Sequence, residues 1–205
     1  MAAAKRRLLI LLGVLTMGRG FSQAPLSGHE LEFDMGSLRN RYLYPNTDVR
    51  YCSPELADRP LRLSFRLRSY GTLFVYSRSS YDLTPLAEYS FPESPAGARW
   101  SAGIGLDGRV RLSQDSRSDA VSSAEPLLSG AYTGRYRRFA YTAPLWTRFY
   151  DNGIAFTVLP EVAYAFTATS LFVRYELSFL QFYGDGTHEW RRDLYLGMRY
   201  RFGKG

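Results

Sequence analysis

Residues 61–68 read Leu61-Arg62-Leu63-Ser64-Phe65-Arg66-Leu67-Arg68. Successive side chains of an extended strand point to opposite faces, so Leu61, Leu63, Phe65 and Leu67 share one face while Arg62, Ser64, Arg66 and Arg68 share the other. A helix would scatter the same apolar groups around its circumference. The two-residue period recurs downstream. Trp100, Ala102, Ile104, Leu106, Val110 and Leu112 oppose Ser101, Gly103, Gly105, Asp107, Arg109 and Arg111. Ile154, Phe156, Val158, Val162, Tyr164 and Phe166 oppose Ala155, Thr157, Glu161 and Ala163, and Leu171, Val173, Tyr175, Leu177 and Phe179 oppose Arg174, Glu176 and Ser178. Leu194, Leu196, Met198, Tyr200 and Phe202 oppose Tyr195, Gly197, Arg199 and Arg201. The chain is therefore all-β.

Turn chemistry separates the runs. Tyr70-Gly71, Ser94-Pro95-Ala96-Gly97, Asp151-Asn152-Gly153 and Gly184-Asp185-Gly186 carry the residues tight turns need, and Asn152-Gly153 reads as a hairpin turn that tolerates positive φ. Strands are expected near 30–43, 60–69, 72–78, 83–92, 98–112, 126–134, 138–150, 153–167, 170–183 and 189–203. That makes ten, or eight if the 60–92 region merges. Two longer polar connections, Tyr44–Arg59 and Ser113–Glu125, fall between them, and Cys52 lies in the first. With a single cysteine the chain has no disulfide framework and no CxxC site.

The first 24 residues are set apart. Lys5, Arg6 and Arg7 precede an apolar core from Leu8 to Thr16, and Ser22-Gln23-Ala24 offers small residues for cleavage, the pattern of an export signal. Residues 25–205 then form one domain. Removing Lys5, Arg6, Arg7 and Arg19, with no acid, lowers the formal charge from +7 to +3, so little basic excess remains for nucleic acid. With 16 Tyr and 13 Phe the chain is too aromatic to be intrinsically disordered. No later apolar run approaches the roughly 20 residues of a spanning helix.

Which way the apolar face points decides the class. Soluble surfaces are rich in lysine, yet beyond residue 24 only Lys204 occurs. The polar face instead combines Arg, Asp and Glu with Gly, Ala and Ser. That mixture suits the cramped interior of a small barrel, where arginine pairs bidentately with carboxylates. Runs of about ten residues match a tilted membrane-crossing strand. Trp100, Tyr150, Tyr164, Tyr183 and Trp190 sit near run ends, where interfacial aromatic girdles belong. The expectation is a transmembrane antiparallel up-and-down β-barrel of 8–10 strands, with ten favoured.

Residues Tyr195-Leu196-Gly197-Met198-Arg199-Tyr200-Arg201-Phe202 fit the order polar, x, Gly, x, x, hydrophobic, x, hydrophobic. This resembles the terminal signal by which outer-membrane barrels are recognised for assembly, with Tyr195, Gly197, Tyr200 and Phe202 as its defining positions. As a whole, residues 29–203 resemble the small OmpX- and OmpW-type barrels. The resemblance implies an outer-membrane location, lipid and the barrel assembly machinery as partners, and outer loops free to meet extracellular or host ligands. It also implies chain ends on the periplasmic side and a luminal charge network of Glu32, Asp34, Arg62, Arg66, Asp107, Arg109, Arg111, Glu161, Arg174, Glu176, Arg199 and Arg201. That network is read as stabilising and plugging the barrel, and the role as structural or surface-interacting, without catalysis and without cofactor or metal. Three alternatives stand beside it. One is a conduit for small solutes or apolar molecules of the OmpW type. Another is a lipid A-modifying enzyme built on His188, although Glu189-Trp190 follow where deacylases of this class carry His-x-Ser. The last is a soluble exported barrel with an internal ligand.

Overall fold

The computed structural model describes residues 28–36, 46–56, 59–70, 78–95, 97–113 and 121–203. The expected leader, residues 1–24, lies outside these. The described chain forms one antiparallel sheet: β1 (His29–Gly36), β2 (Asn46–Cys52), β3 (Leu61–Tyr70), β4 (Arg78–Ser90), β5 (Ala98–Ser113), β6 (Val121–Tyr136), β7 (Phe139–Tyr150), β8 (Gly153–Val158), β9 (Glu161–Ala165), β10 (Thr169–Phe182) and β11 (His188–Phe202). Each strand pairs with its neighbours in chain order, and β1 pairs β11 from His29↔Phe202 to Gly36↔Tyr195, closing the sheet on itself. Closure leaves no free edge.

β8 and β9 are two halves of one barrel strand. Both pair with β7 and with β10 in a single unbroken register, from Leu145↔Val158 to Phe139↔Tyr164 on one side. The interruption falls at Leu159-Pro160. Pro160 has no N–H to donate, but the Leu159 amide still donates to the Pro144 carbonyl, and that of Tyr175 to the Pro160 carbonyl, each at 2.9 Å. The barrel therefore has ten strands.

The expected count is right, but some of the expected boundaries are not. Residues 46–52, expected in a loop, form β2, where Asp48 and Arg50 alternate with Val49 and Tyr51. The strand expected near 72–78 lies almost wholly outside the described residues, and the one expected near 83–92 begins earlier, at Arg78, as β4. Residues 79–82, expected as a connection, are therefore strand; within β4 the ladder to β5 lapses at Thr84 and Pro85 and resumes in the same register at Leu86↔Gly105. Cys52 is thus not in an outer loop. It is buried at the end of β2, opposite Glu30, at the end of the barrel where both termini lie. The hairpin at 150–153 turns on Asp151-Asn152, with Tyr150 paired to Gly153, so the turn sits one residue earlier than expected. Gly153 is needed for close approach instead, since a side chain there would collide with the Gln181 carbonyl.

Candidate functional site

The alternation has the inverted orientation. On β1, Leu31, Phe33 and Met35 are 43%, 41% and 44% exposed, whereas Glu32 and Asp34 are 2% and 1% exposed. The same holds around the ring. Leu63, Phe65 and Leu67 face outward while Arg66 and Arg68 are buried, and Leu171, Val173 and Tyr175 face outward while Arg174 and Glu176 are buried. The large aliphatic side chains clothe the outside of the cylinder, and the charges fill it.

Inside, the carboxylates and guanidinium groups form continuous clusters. Arg174 lies at the centre of one. Its Nη1 donates to Asp34 Oδ2 at 2.7 Å, its Nη2 to Glu161 Oε2 at 2.7 Å, and the same nitrogen to Glu32. Arg199 donates to Glu32 Oε2 and Glu161 Oε1, each at 2.7 Å, and pairs with Glu30 at 3.1 Å; Arg201 adds a bond to Glu30 at 2.9 Å. The ring of Phe172 sits between the two guanidinium planes, 4.8 Å from Arg174 and 5.1 Å from Arg199. Such cation–π contacts are strongest when desolvated, as here. The ring has room because position 197 is glycine, where an added Cβ would run into Phe172 and lie 2.6 Å from the Asp34 Cβ.

A second cluster crosses the barrel. Asp48 accepts from Arg66 Nε at 2.5 Å and from Arg68 Nε at 3.2 Å, and Arg68 Nη2 continues to Glu176 Oε2 at 2.7 Å. Because β3 and β10 are separated by β2, β1 and β11, the Arg68–Glu176 pair spans the lumen. Arg68 also lies 5.2 Å above the ring of Tyr195, which is fully buried. Beside it Arg148 pairs with Asp107 at 2.6 Å and donates to Thr157 at 3.0 Å, while Arg109 and Asp82 pair at 2.7 Å. Leu86, Leu127, Trp146 and Leu159 form an apolar plug within the same lumen, and Trp146 is covered by Arg66 at 4.8 Å and Arg148 at 5.0 Å.

Of the residues assigned to the lumen from sequence, Glu32, Asp34, Arg66, Asp107, Glu161, Arg174 and Glu176 are buried in these clusters. Arg199 joins the first cluster, Arg109 is part-buried, and Arg201 is exposed at the mouth. Arg62 makes no salt bridge among the described residues and donates its Nε to the Ser53 carbonyl at 2.9 Å. The Arg111 side chain lies outside the described residues. Sequence reasoning missed Asp48 and Arg50 because Pro45-Asn46-Thr47 reads as a turn, although the alternation Asp48-Val49-Arg50-Tyr51-Cys52 was available. It also left Glu30, Asp82, Glu88 and Arg148 out of the network, and Arg68 although that residue was read onto the polar face. On β11, Tyr195 and Gly197 face inward, and Tyr200 and Phe202 face outward.

Aromatic rings collect on the outer rim at the terminal end. Trp100 packs against Tyr132 with ring centroids 4.7 Å apart, Tyr132 neighbours Tyr141, and Phe139, Tyr164 and Phe166 follow at 5.1–5.2 Å. Tyr51, His29, Phe202 and Tyr200 continue the band, with His29 Nδ1 and the Tyr51 hydroxyl 2.7 Å apart. At the opposite end Trp190 packs on Phe179 at 4.8 Å, and Tyr183 is exposed. His188 lies there too, exposed at the start of β11, with its ring 5.8 Å from that of Phe179.

Among the described residues the lumen holds a cavity at its terminal end. This cavity, of about 360 Å³, enters past Gly28 and Gly203 and ends on Arg66, Trp146 and Leu159. Among the described residues no group of His, Cys, Asp and Glu is arranged to hold a metal ion. No protein-family model matches the chain, and no curated protein matches it.

Proposed function

We propose that the chain is an integral outer-membrane β-barrel with a sealed lumen, built to hold a rigid cylinder in the lipid while its outer connections meet the surroundings. The observation that carries this is the inverted polarity of the wall. A soluble protein that exposed Leu31, Phe33, Met35, Leu63, Phe65, Leu67, Leu171 and Val173 together would present a patch far beyond the few hundred Å² usual on monomers. In hydrocarbon the same wall is the matched surface, and a closed barrel is the one sheet form that leaves no backbone group unpaired there. Aromatic bands at both rims suit the two lipid–water boundaries.

The sealed lumen argues against passive conduction. Arg68 and Glu176 bridge the lumen, and Leu86, Leu127, Trp146 and Leu159 fill the space beside them. Barrels of this size are normally filled by side chains. Catalysis at His188 gains no support, because the hydrogen bonds of its turn run between Asp185 and Thr187. Two measurements test the proposal on the expressed full chain. It should fractionate with outer membranes and migrate faster on gels unheated than boiled, and in planar bilayers it should show no steady conductance. Recovery in the soluble periplasmic fraction refutes the location; a stable open channel refutes the sealed lumen.

A further inference from the structure

The arginines of the lumen are almost all paired with carboxylates: Arg50 with Glu88, Arg66 and Arg68 with Asp48, Arg109 with Asp82, Arg148 with Asp107, and Arg174, Arg199 and Arg201 with the Glu30–Glu32–Glu161 group. The exceptions gather at one place. Arg62 and Arg135 both line the cavity at the terminal end, and neither makes a salt bridge among the described residues. Arg99 lies between them and spends Nη1 on Glu55 at 2.9 Å, but its Nε is buried with no hydrogen-bond partner. Arg99 is register-paired with Thr133, two residues before Arg135 on β6, so these two guanidinium groups start from adjacent strands. Ser101, Thr133 and Tyr141 add hydroxyl groups to the same wall.

A buried guanidinium nitrogen without an acceptor is costly, and on this wall the Arg99 Nε has none among the described residues, while Arg62 and Arg135 carry no salt bridge there, so donors are left over for a ligand. Three cationic forks around one pocket match a ligand with several anionic oxygens, because each planar guanidinium can give two parallel N–H bonds to a phosphate-like group. The volume, about 360 Å³, falls within the range of small-molecule sites. It is too small for a macromolecule, and it is closed below by Trp146 and Leu159. We propose that this vestibule is a binding site for a small polyvalent oxyanion of the phosphate type, held by Arg62, Arg99 and Arg135. The proposal does not rest on the membrane reading, since the pocket is internal to the barrel whatever surrounds it.

Inorganic pyrophosphate is the probe. Titration calorimetry on the folded full chain at low ionic strength should give saturable one-to-one binding that weakens as sodium chloride is raised. Arg135→Gln and Arg62→Gln should each weaken it at least tenfold. Arg191→Gln, exposed near the opposite end of β11 and outside the cavity lining, should leave it unchanged. Because Arg135 carries no hydrogen bond or ion pair among the described residues, its replacement should leave the folded gel mobility and circular dichroism of the barrel intact, which separates lost binding from lost fold. No saturable heat with wild type overturns the proposal, as does binding that Arg135→Gln and Arg62→Gln leave unaltered.

Discussion

Removing Arg174 should be the most damaging single change in the lumen. Its guanidinium holds three carboxylates at once, on Glu32, Asp34 and Glu161, all of which are at most 3% exposed. Stripping one partner from a buried pair costs about 3–5 kcal/mol, because the remaining charge is left in a medium that solvates it poorly. The three acids do not suffer equally. Glu32 and Glu161 keep Arg199, whose Nη2 reaches both at 2.7 Å. Asp34 keeps no hydrogen-bond partner among the described residues: its Oδ2 bonds to Arg174, and its Oδ1 is already buried without one. Arg174→Met should therefore lower the unfolding free energy by about 3–5 kcal/mol, and adding Asp34→Asn should recover roughly 1–3 kcal/mol of that by removing the orphaned charge. Urea unfolding in detergent micelles, followed by tryptophan fluorescence and by folded gel mobility, gives both numbers. A loss below about 1 kcal/mol for the single variant, or a double variant weaker than the single one, would refute the assignment of this cluster as the structural centre of the lumen.

Four further substitutions or labels test other parts of the structure. Val173→Arg, on the outer face of β10, should destabilise a lipid-embedded barrel by about 2–4 kcal/mol, whereas the same change on a water-exposed wall stays within about 0.5 kcal/mol; refolding into lipid vesicles in urea reads the difference. Gly197→Ala should cost about 1–3 kcal/mol by driving a Cβ into the Phe172 ring, and Phe172→Leu on the same background should return part of it; unchanged stability would mean the ring can move aside. Arg137 turns the β6–β7 hairpin at a φ of 55°, so Arg137→Asn should raise stability by up to about 1 kcal/mol in the same urea titration. Cys52 should resist a membrane-impermeant maleimide on intact cells and on the folded barrel but react fully in urea, because its thiol is buried in the lumen near the terminal end; rapid labelling of intact cells would contradict that placement.

The wall was legible and the connections were not, for a physical reason. Period-two patterning needs only five or six residues to declare itself. Runs such as 61–68 and 171–179 do so with large aliphatics against arginines, and they fix both the fold class and the inward face. β2 failed to declare itself because it is short and begins at Asn46-Thr47, residues that populate turns as readily as strands. The start of β4 did not declare itself either, because Ser79-Ser80 ahead of Asp82 reads as a connection, while Pro85 inside the strand is tolerated where the ladder skips two residues. The luminal partners could be named as a set from the polar face, but who meets whom could not. Pairs such as Arg68 with Glu176 join strands that are distant in sequence and adjacent only once the ring has closed. Trp146 and Leu127 ran against the pattern altogether, since a large apolar residue on the inner face has no separate mark in the alternation.

The distribution of pairing inside the barrel separates two kinds of charge that composition alone would merge. Where Arg68, Arg148 and Arg174 lie, every guanidinium reaches across to a carboxylate on another strand, so the charges act as cross-ties that hold the ring in shape and fill it. An open pore needs the opposite arrangement, with charges lining a water-filled gap and solvated by it; the apolar group around Trp146 takes up the space such a gap would need. Toward the terminal mouth the lumen widens into the cavity, and more arginines than acids line it: Glu30 still ties Arg199 and Arg201, Arg62 donates to the Ser53 carbonyl, and Arg135 makes no salt bridge among the described residues. A purely structural plug has no use for that surplus, because unpaired cations repel one another and weaken the ring they line. The surplus is better understood as kept for an anion that enters from that end, stops at Trp146 and Leu159, and leaves the way it came.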